Sequence, residues 1–150
     1  MGLYHQNMRV MALDVGDKTI GVAVSDALLS TAQGRSTIQR KGLQQDIHAL
    51  RQLVEDNEVY QIVVGQPLHM DGRESRQSQK VRVFADEIQK QLNVPVVFWD
   101  ERLTSFEAEQ QLEEMGLNWR KRQQHVDKVA AMIILQNYLD SRDSGSGQPA

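Results

Sequence analysis

The chain has 150 residues, of which 40% are hydrophobic and 25% charged, and its formal net charge at pH 7 is −3. This size and balance predict one soluble domain and argue weakly against a protein that coats nucleic acid without specificity. The sequence contains no cysteine, which excludes disulfides, thiolate metal sites and cysteine nucleophiles. No stretch resembles a signal peptide or is long enough to span a membrane, so we expect a cytoplasmic protein without a membrane partner.

The first third of the chain predicts three strands and one helix. Val and Ile dominate two apolar runs, at residues 10–15 and 20–24, and Gly16 begins the short turn between them. Such runs around a glycine-containing turn are typical of a β-hairpin. A shorter third strand is predicted over residues 34–39. Apolar residues then recur at helical spacing, which predicts an amphipathic helix over residues 42–57.

Strand and helix signals alternate in the middle of the chain. Apolar runs at residues 59–65 and 96–99 predict two strands, and an apolar stripe over residues 74–92 predicts the helix between them. Strands joined through a helix run parallel, with a right-handed crossover. Together with the hairpin and the third strand, these units predict an α/β domain whose mixed five-stranded sheet is flanked by helices.

Two further helices are predicted after the fifth strand. Thr104 has the capping-box spacing to a glutamate and should begin a helix that ends before Gly116. The last helix should begin between residues 118 and 125 and end near residue 140. Residues 141–150 are small and polar and predict a disordered tail, which leaves residues 1–140 as a single domain.

Carboxylates stand at three places where an acidic side chain is informative. Asp14 lies inside the apolar first strand, where a carboxylate is costly unless it is paired, hydrogen-bonded or bound to metal. Asp100 and Glu101 follow the fifth strand, at the edge where α/β sheets bind ligands, although a solvated strand end is the simpler alternative. Asp127 shares a helix stripe with the small residue Ala131, which would direct its carboxylate towards the sheet. The alternative is that Asp127 only complements the dipole at the start of the helix. If the three places converge, their oxygen ligands suit Mg²⁺ or Mn²⁺.

Four segments match a known family in their order and spacing. They are LDVGDKTIGVAVSD near the start, VVGQPLHMDGRES in the middle, and DERLTS with the closing DKVAAMIILQNYL. These segments resemble the YqgF-type nucleases, described as Holliday-junction resolvase-like proteins or pre-16S rRNA nucleases of the ribonuclease H-like superfamily. The resemblance implies a ribonuclease H-like fold with strand order 3-2-1-4-5. It also implies metal-dependent phosphodiester hydrolysis, with Asp14, Glu101 and Asp127 as the catalytic and metal-binding residues.

Basic side chains near these acidic positions are candidates for nucleic-acid contacts. Arginine forks and lysines hold phosphate groups, whereas a charged loop or helix start is often only a solvated surface. Arg102 could instead balance its acidic neighbours in the chain. The candidate contacts are Arg73, Arg76, Arg102, Arg120, Lys121 and Arg122.

Three classes of function are open from the sequence. The resemblance implies an endonuclease that processes the 5′ end of precursor 16S rRNA in ribosome biogenesis, with a branched DNA such as a Holliday junction as the alternative substrate. A nucleic-acid-binding or ribosome-binding protein that does not cut is the second class. An actin-like ATPase is the third, disfavoured because that fold needs two such domains. Precursor rRNA, branched DNA and ribosomal particles are the candidate partners, and a monomer and a homodimer both remain open.

Overall fold

A mixed five-stranded sheet with helices on both faces makes up the part of the chain that the computed structural model describes, residues 8–69, 71–103 and 126–144. The strands are β1 (Arg9–Val15), β2 (Thr19–Ser25), β3 (Ala32–Gln39), β4 (Val59–Gln66) and β5 (Val96–Asp100). The helices are α1 (Leu43–Asp56), α2 (Arg76–Leu92) and α3 (Val126–Ser144), and a 3₁₀ turn spans Glu101–Leu103. The strand order is β3-β2-β1-β4-β5, which confirms the predicted fold class and order.

The central strand β1 pairs antiparallel with β2 and parallel with β4, and β4 pairs parallel with β5. The carboxyl ends of β1, β4 and β5 therefore share one edge of the sheet, where α/β folds usually bind ligands. At this edge the β1–β2 hairpin closes through the Gly16 amide, which donates to the Thr19 carbonyl at 2.8 Å. The predicted hairpin is confirmed.

Each face of the sheet covers its own apolar core, and the strand pleat decides which side chain joins which core. Met11 and Leu13 pack with α1 and α2 on one face. Val10 and Ala12 pack with α3 on the other face. Asp14 continues the second series, so the pleat assigns it to the α3 face, at the carboxyl end of β1.

Strand β3 and helix α2 begin at residues that differ from the predicted ones. Strand β3 begins at Ala32 instead of residue 34, because Ala32 and the residue after it pair with the end of β2, and the Ala32 amide also donates to Gln136 Oε1 of α3 at 3.0 Å. Helix α2 begins at Arg76 instead of residue 74. Ser75 caps it by accepting from the Ser78 amide at 2.9 Å, a typical N-cap arrangement.

Helix α3 continues to Ser144, so the prediction that a disordered tail begins at residue 141 is wrong for residues 141–144. Arg142 joins this last part of the helix to β4, because its guanidinium donates to the Tyr60 hydroxyl at 3.2 Å, and it also lies 5.7 Å from the Tyr138 ring centroid. The predicted helix from Thr104, the predicted beginning of the last helix and the rest of the tail lie outside the described residues. Among the helices described, none is both long and apolar enough to cross a membrane.

Candidate active site

Asp14 is the first candidate residue, and it lies one residue before the end of β1. It faces Gly21 across the antiparallel ladder with β2. Its neighbours Leu13 and Val15 are 0% and 6% exposed, whereas Asp14 itself is only partly buried. The central strand therefore places the Asp14 carboxylate on the α3 side of the sheet edge, where it stays partly exposed.

Glu101 reaches the same face of the sheet from β5. Glu101 belongs to the 3₁₀ turn after β5, and its face is given by its contact with Gly65, which by the pleat of β4 lies on the same side as Val63 of the α3 core. The Glu101 carboxylate lies over β4, because a Cβ atom built on Gly65 would stand 3.1 Å from Glu101 Oε2. Since β4 is the strand between β5 and β1, the Glu101 side chain extends back across the sheet towards β1.

The charges of Asp14 and Glu101 interact. Burial raises the pKa of the Glu101 carboxyl to about 7, and repulsion from Asp14 and then from Asp100 adds to the shift. A carboxyl whose pKa is raised by burial and by a second acid is characteristic of functional sites. The oxygen-only donor set also fits a hard divalent cation, whose charge would relieve the repulsion.

Asp127, the third predicted ligand, is the second residue of α3, and its side chain lies outside the described part of the structure. Helix α3 itself passes over the site. Ile134 follows Asp127 by about two helical turns, and its Cδ1 atom lies 2.5 Å from a Cβ atom built on Gly65. No group of three metal-ligating side chains occurs within the described residues. The role of Asp127 as third ligand stays a prediction.

Gly65 is a residue of the site that the sequence analysis missed. Its missing side chain leaves the space that Glu101 and Ile134 fill above β4. A lone glycine inside an apolar strand often marks such a close approach, so the run VVG did carry a signal.

Replacing Gly65 by Ala is expected to lower cleavage activity by about tenfold to a hundredfold, because a displaced carboxylate loses its productive geometry. The added Cβ should also lower the free energy of unfolding by about 1–2 kcal/mol, since it overpacks the α3 face. Thermal unfolding and cleavage rates measure the two effects. In the double variant with Ile134→Val, which lacks the Cδ1 atom, stability should recover while activity stays low. Full activity of that double variant would show that Gly65 does not position Glu101.

Arg102 pairs with one of its two acidic neighbours, Asp100 at the end of β5. Its Nε lies 3.0 Å from both carboxylate oxygens of Asp100, and its amide donates to Asp100 Oδ1 at 2.9 Å. These hydrogen bonds hold the pKa of Asp100 below its usual value. Asp100 therefore forms an ion pair with Arg102, whereas Glu101 is repelled by the charge of Asp14. The Arg102 guanidinium also borders Gly72 in the loop after β4.

The other predicted basic contacts lie in different surroundings. Arg73 pairs with Asp71 at 2.6 Å in the exposed loop after β4. Arg76 lines a groove between α1 and α2, on the opposite face of the sheet from Asp14. Arg120, Lys121 and Arg122 lie outside the described residues. Their roles in binding nucleic acid stay predictions.

The fold recurs in solved resolvases. The chain superposes on Thermus thermophilus RuvC in complex with a Holliday junction substrate with a TM-score of 0.63 and 15% identity, over 93% of this chain and 97% of that one. It also superposes on the fowlpox virus resolvase bound to Holliday junction DNA, with a TM-score of 0.55 and 11% identity, over 90% and 99% of the two chains. At these identities the likeness extends to the fold alone.

Relatives in sequence are much more similar. A protein of Heliobacterium modesticaldum named "Putative pre-16S rRNA nuclease" is 50% identical over 90% of this chain and 91% of its own length. A protein of Clostridium acetobutylicum with the same name is 50% identical over 89% of this chain and 99% of its own. The model of the RuvX family, described as Holliday junction resolvase, matches residues 8–141. Because this match spans most of the sequence, the chain belongs to the RuvX family of nucleases.

Proposed function

We propose that the chain is a divalent-metal-dependent endonuclease that processes the 5′ end of precursor 16S rRNA. The observation that carries the proposal is the position of the Glu101 carboxylate over Gly65 of β4, at the sheet edge where the charge of Asp14 repels that of Glu101. A pair of partly buried carboxylates is costly in isolation and becomes stable when it shares a cation.

The acidic residues have defined tasks in this proposal. Asp14, Glu101 and Asp127 would hold Mg²⁺ or Mn²⁺, the hard cations that carboxylate oxygens favour. When bound, the cation supplies charge neutralisation at the phosphate and a more acidic water. Hydrolysis then adds water across one P–O bond, so that one fragment keeps the phosphate and the other a hydroxyl. Glu101 must be ionised to act, and Gly65 leaves the room its side chain needs.

The sequence relatives favour RNA as the substrate. The relatives at 50% identity carry a name that refers to pre-16S rRNA, whereas the structural neighbours that bind Holliday junctions are at most 15% identical. The description of the family model supports branched DNA as the second candidate substrate. Precursor rRNA as a target also suggests ribosomal particles as partners and the cytoplasm as the location.

A cleavage assay with both substrates tests the proposal. We expect purified protein to cut a precursor 16S rRNA fragment in Mg²⁺ or Mn²⁺ and to lose this activity in EDTA. A four-way DNA junction is the parallel substrate. Metal-dependent cutting of the junction alone would replace RNA by DNA as the substrate, and binding of both substrates without any cutting would contradict the proposed catalysis.

A further inference from the structure

Arg40, on the face of the sheet opposite to the carboxylates, contacts the turn that follows Asp14. Its Nη1 donates to the Gly16 carbonyl at 2.7 Å, two residues beyond Asp14 in the chain. Its Nε donates to Asp46 Oδ2 at 3.1 Å. The guanidinium carbon also lies 4.6 Å from the centroid of the Phe84 ring. One side chain thus joins the β1–β2 turn to both α1 and α2.

Asp46 holds the Arg40 guanidinium in place from α1. Its side chain is only 2% exposed, although it belongs to the first turn of α1. Oδ1 accepts from the Lys41 amide at 2.9 Å, while Oδ2 holds Arg40. A buried carboxylate with both oxygens bonded holds its arginine in one orientation, because the planar guanidinium fork allows little movement.

The backbone around the β1–β2 turn is held at two further points. The Val15 carbonyl accepts from Gln77 Nε2 at 3.3 Å, and the Lys18 carbonyl accepts from the Arg40 amide at 2.9 Å. The bond from Arg40 to Gly16 is the shortest of the three. The end of β1 that carries Asp14 is therefore fixed by groups that never reach the α3 face.

We propose that Arg40, oriented by Asp46, is a positioning residue that sets the place of Asp14 in the metal site. The inference rests on the proposed function, because it assumes that Asp14 binds a divalent cation. Residues that orient metal ligands typically change metal affinity or activity by about tenfold to a hundredfold when they are replaced. Arg40 acts in this way through the backbone of the turn and does not touch the metal or the substrate.

Arg51 provides a matched control for this proposal. Its Nη2 donates to the Gln91 carbonyl at 2.9 Å, near the carboxyl end of α2. This bond also joins an arginine to a backbone carbonyl on the α1 and α2 face, but at the end of α2 remote from the β1–β2 turn. Loss of either arginine removes a bond to a backbone carbonyl, although loss of Arg40 also removes the ion pair with Asp46, and only the loss of Arg40 should affect Asp14.

The test is Mn²⁺ binding to the metal-free protein, measured by titration calorimetry on wild type, Arg40→Gln, Arg40→Lys and Arg51→Gln. We expect Arg40→Gln to raise the Kd for Mn²⁺ about tenfold or more, and Arg40→Lys to raise it less, since lysine keeps the charge and one bond. Arg51→Gln should bind like wild type. In cleavage assays, excess metal should restore the kcat of Arg40→Gln at an unchanged KM for nucleic acid.

The outcomes separate the inference from the proposed function. If wild type binds Mn²⁺ and the variants Arg40→Gln and Arg51→Gln bind it equally well, Arg40 has no positioning role and the metal site stands. An equal loss of affinity in both variants would point to general destabilisation and would also overturn the inference. If wild type binds no Mn²⁺, the metal site itself is wrong, and the inference fails with it.

Discussion

Replacing Asp14 by Asn is expected to lower cleavage about a thousandfold or more while leaving the protein folded. The loss follows because the amide removes the anionic ligand that we propose on the central strand, and a catalytic cation supplies several kcal/mol of transition-state stabilisation. The fold should persist, because Asn keeps the shape of the side chain and removes a charge that repels Glu101. Cleavage rates in Mg²⁺ and thermal unfolding in EDTA measure the two effects.

Asp17→Asn is the control for this variant, because Asp17 lies in the turn next to Asp14 yet is 68% exposed and only 3.6 Å from its partner Lys80. Exposed ion pairs of this kind contribute little to stability, so this variant should cut and unfold like wild type. Two results would contradict our assignment of Asp14. One is wild-type cleavage by Asp14→Asn, and the other is an equal loss of cleavage in Asp17→Asn.

Glu101→Gln is expected to have the second-largest effect, a loss of cleavage of about a hundredfold or more from removal of the second proposed metal ligand. In the metal-free protein it should also change how stability depends on pH. The pKa of Glu101 is raised to about 7 in the folded protein from 4.5, so the folded state binds the proton more tightly than the unfolded chain. Below pH 4.5 the carboxyl is neutral in both states and its burial lowers stability little.

As the pH rises from 4.5 towards 7, ionisation of Glu101 should lower the free energy of unfolding by about 1–3 kcal/mol, since solvent screens part of the charge of this half-buried group, and the loss should persist above pH 7. Glu101→Gln should lack this decline, which urea unfolding of both proteins in EDTA at pH 4.5, 6 and 8 can measure. Binding of Mg²⁺ should reverse the decline in wild type and release a proton near pH 6. Parallel pH profiles for the two proteins would show that Glu101 is not held in a buried, repelled state.

Local sequence signals predict the secondary structure of the described sheet well. Continuous Val-rich runs fix β1 and β4, and helical spacing fixes α1 and α2, because these signals depend on residues near one another in the chain. The strand order came from the family resemblance, and the structure confirms it. The apolar run around Asp14 likewise predicts its position inside β1, because that signal is local.

Contacts between distant positions account for what sequence alone could not predict. Glu101 lies over Gly65, and Arg40 bonds to Gly16, although no periodicity connects the members of either pair. Asp100 pairs with Arg102, whereas Glu101 lies over Gly65. This difference depends on the 3₁₀ turn after β5 and on side-chain geometry. The last part of α3 is joined to β4 by the bond from Arg142 to Tyr60, which lie 82 positions apart in the chain.

The central claim is that Asp14, Glu101 and Asp127 hold a divalent cation together. A crystal structure of the protein grown with Mn²⁺, with an anomalous difference map, tests this claim most directly. We predict anomalous peaks at the carboxyl edge of β1 and β4, coordinated by oxygens of all three side chains. A map with no peak there, or a structure in which Asp127 lies far from Asp14 and Glu101, would contradict the claim.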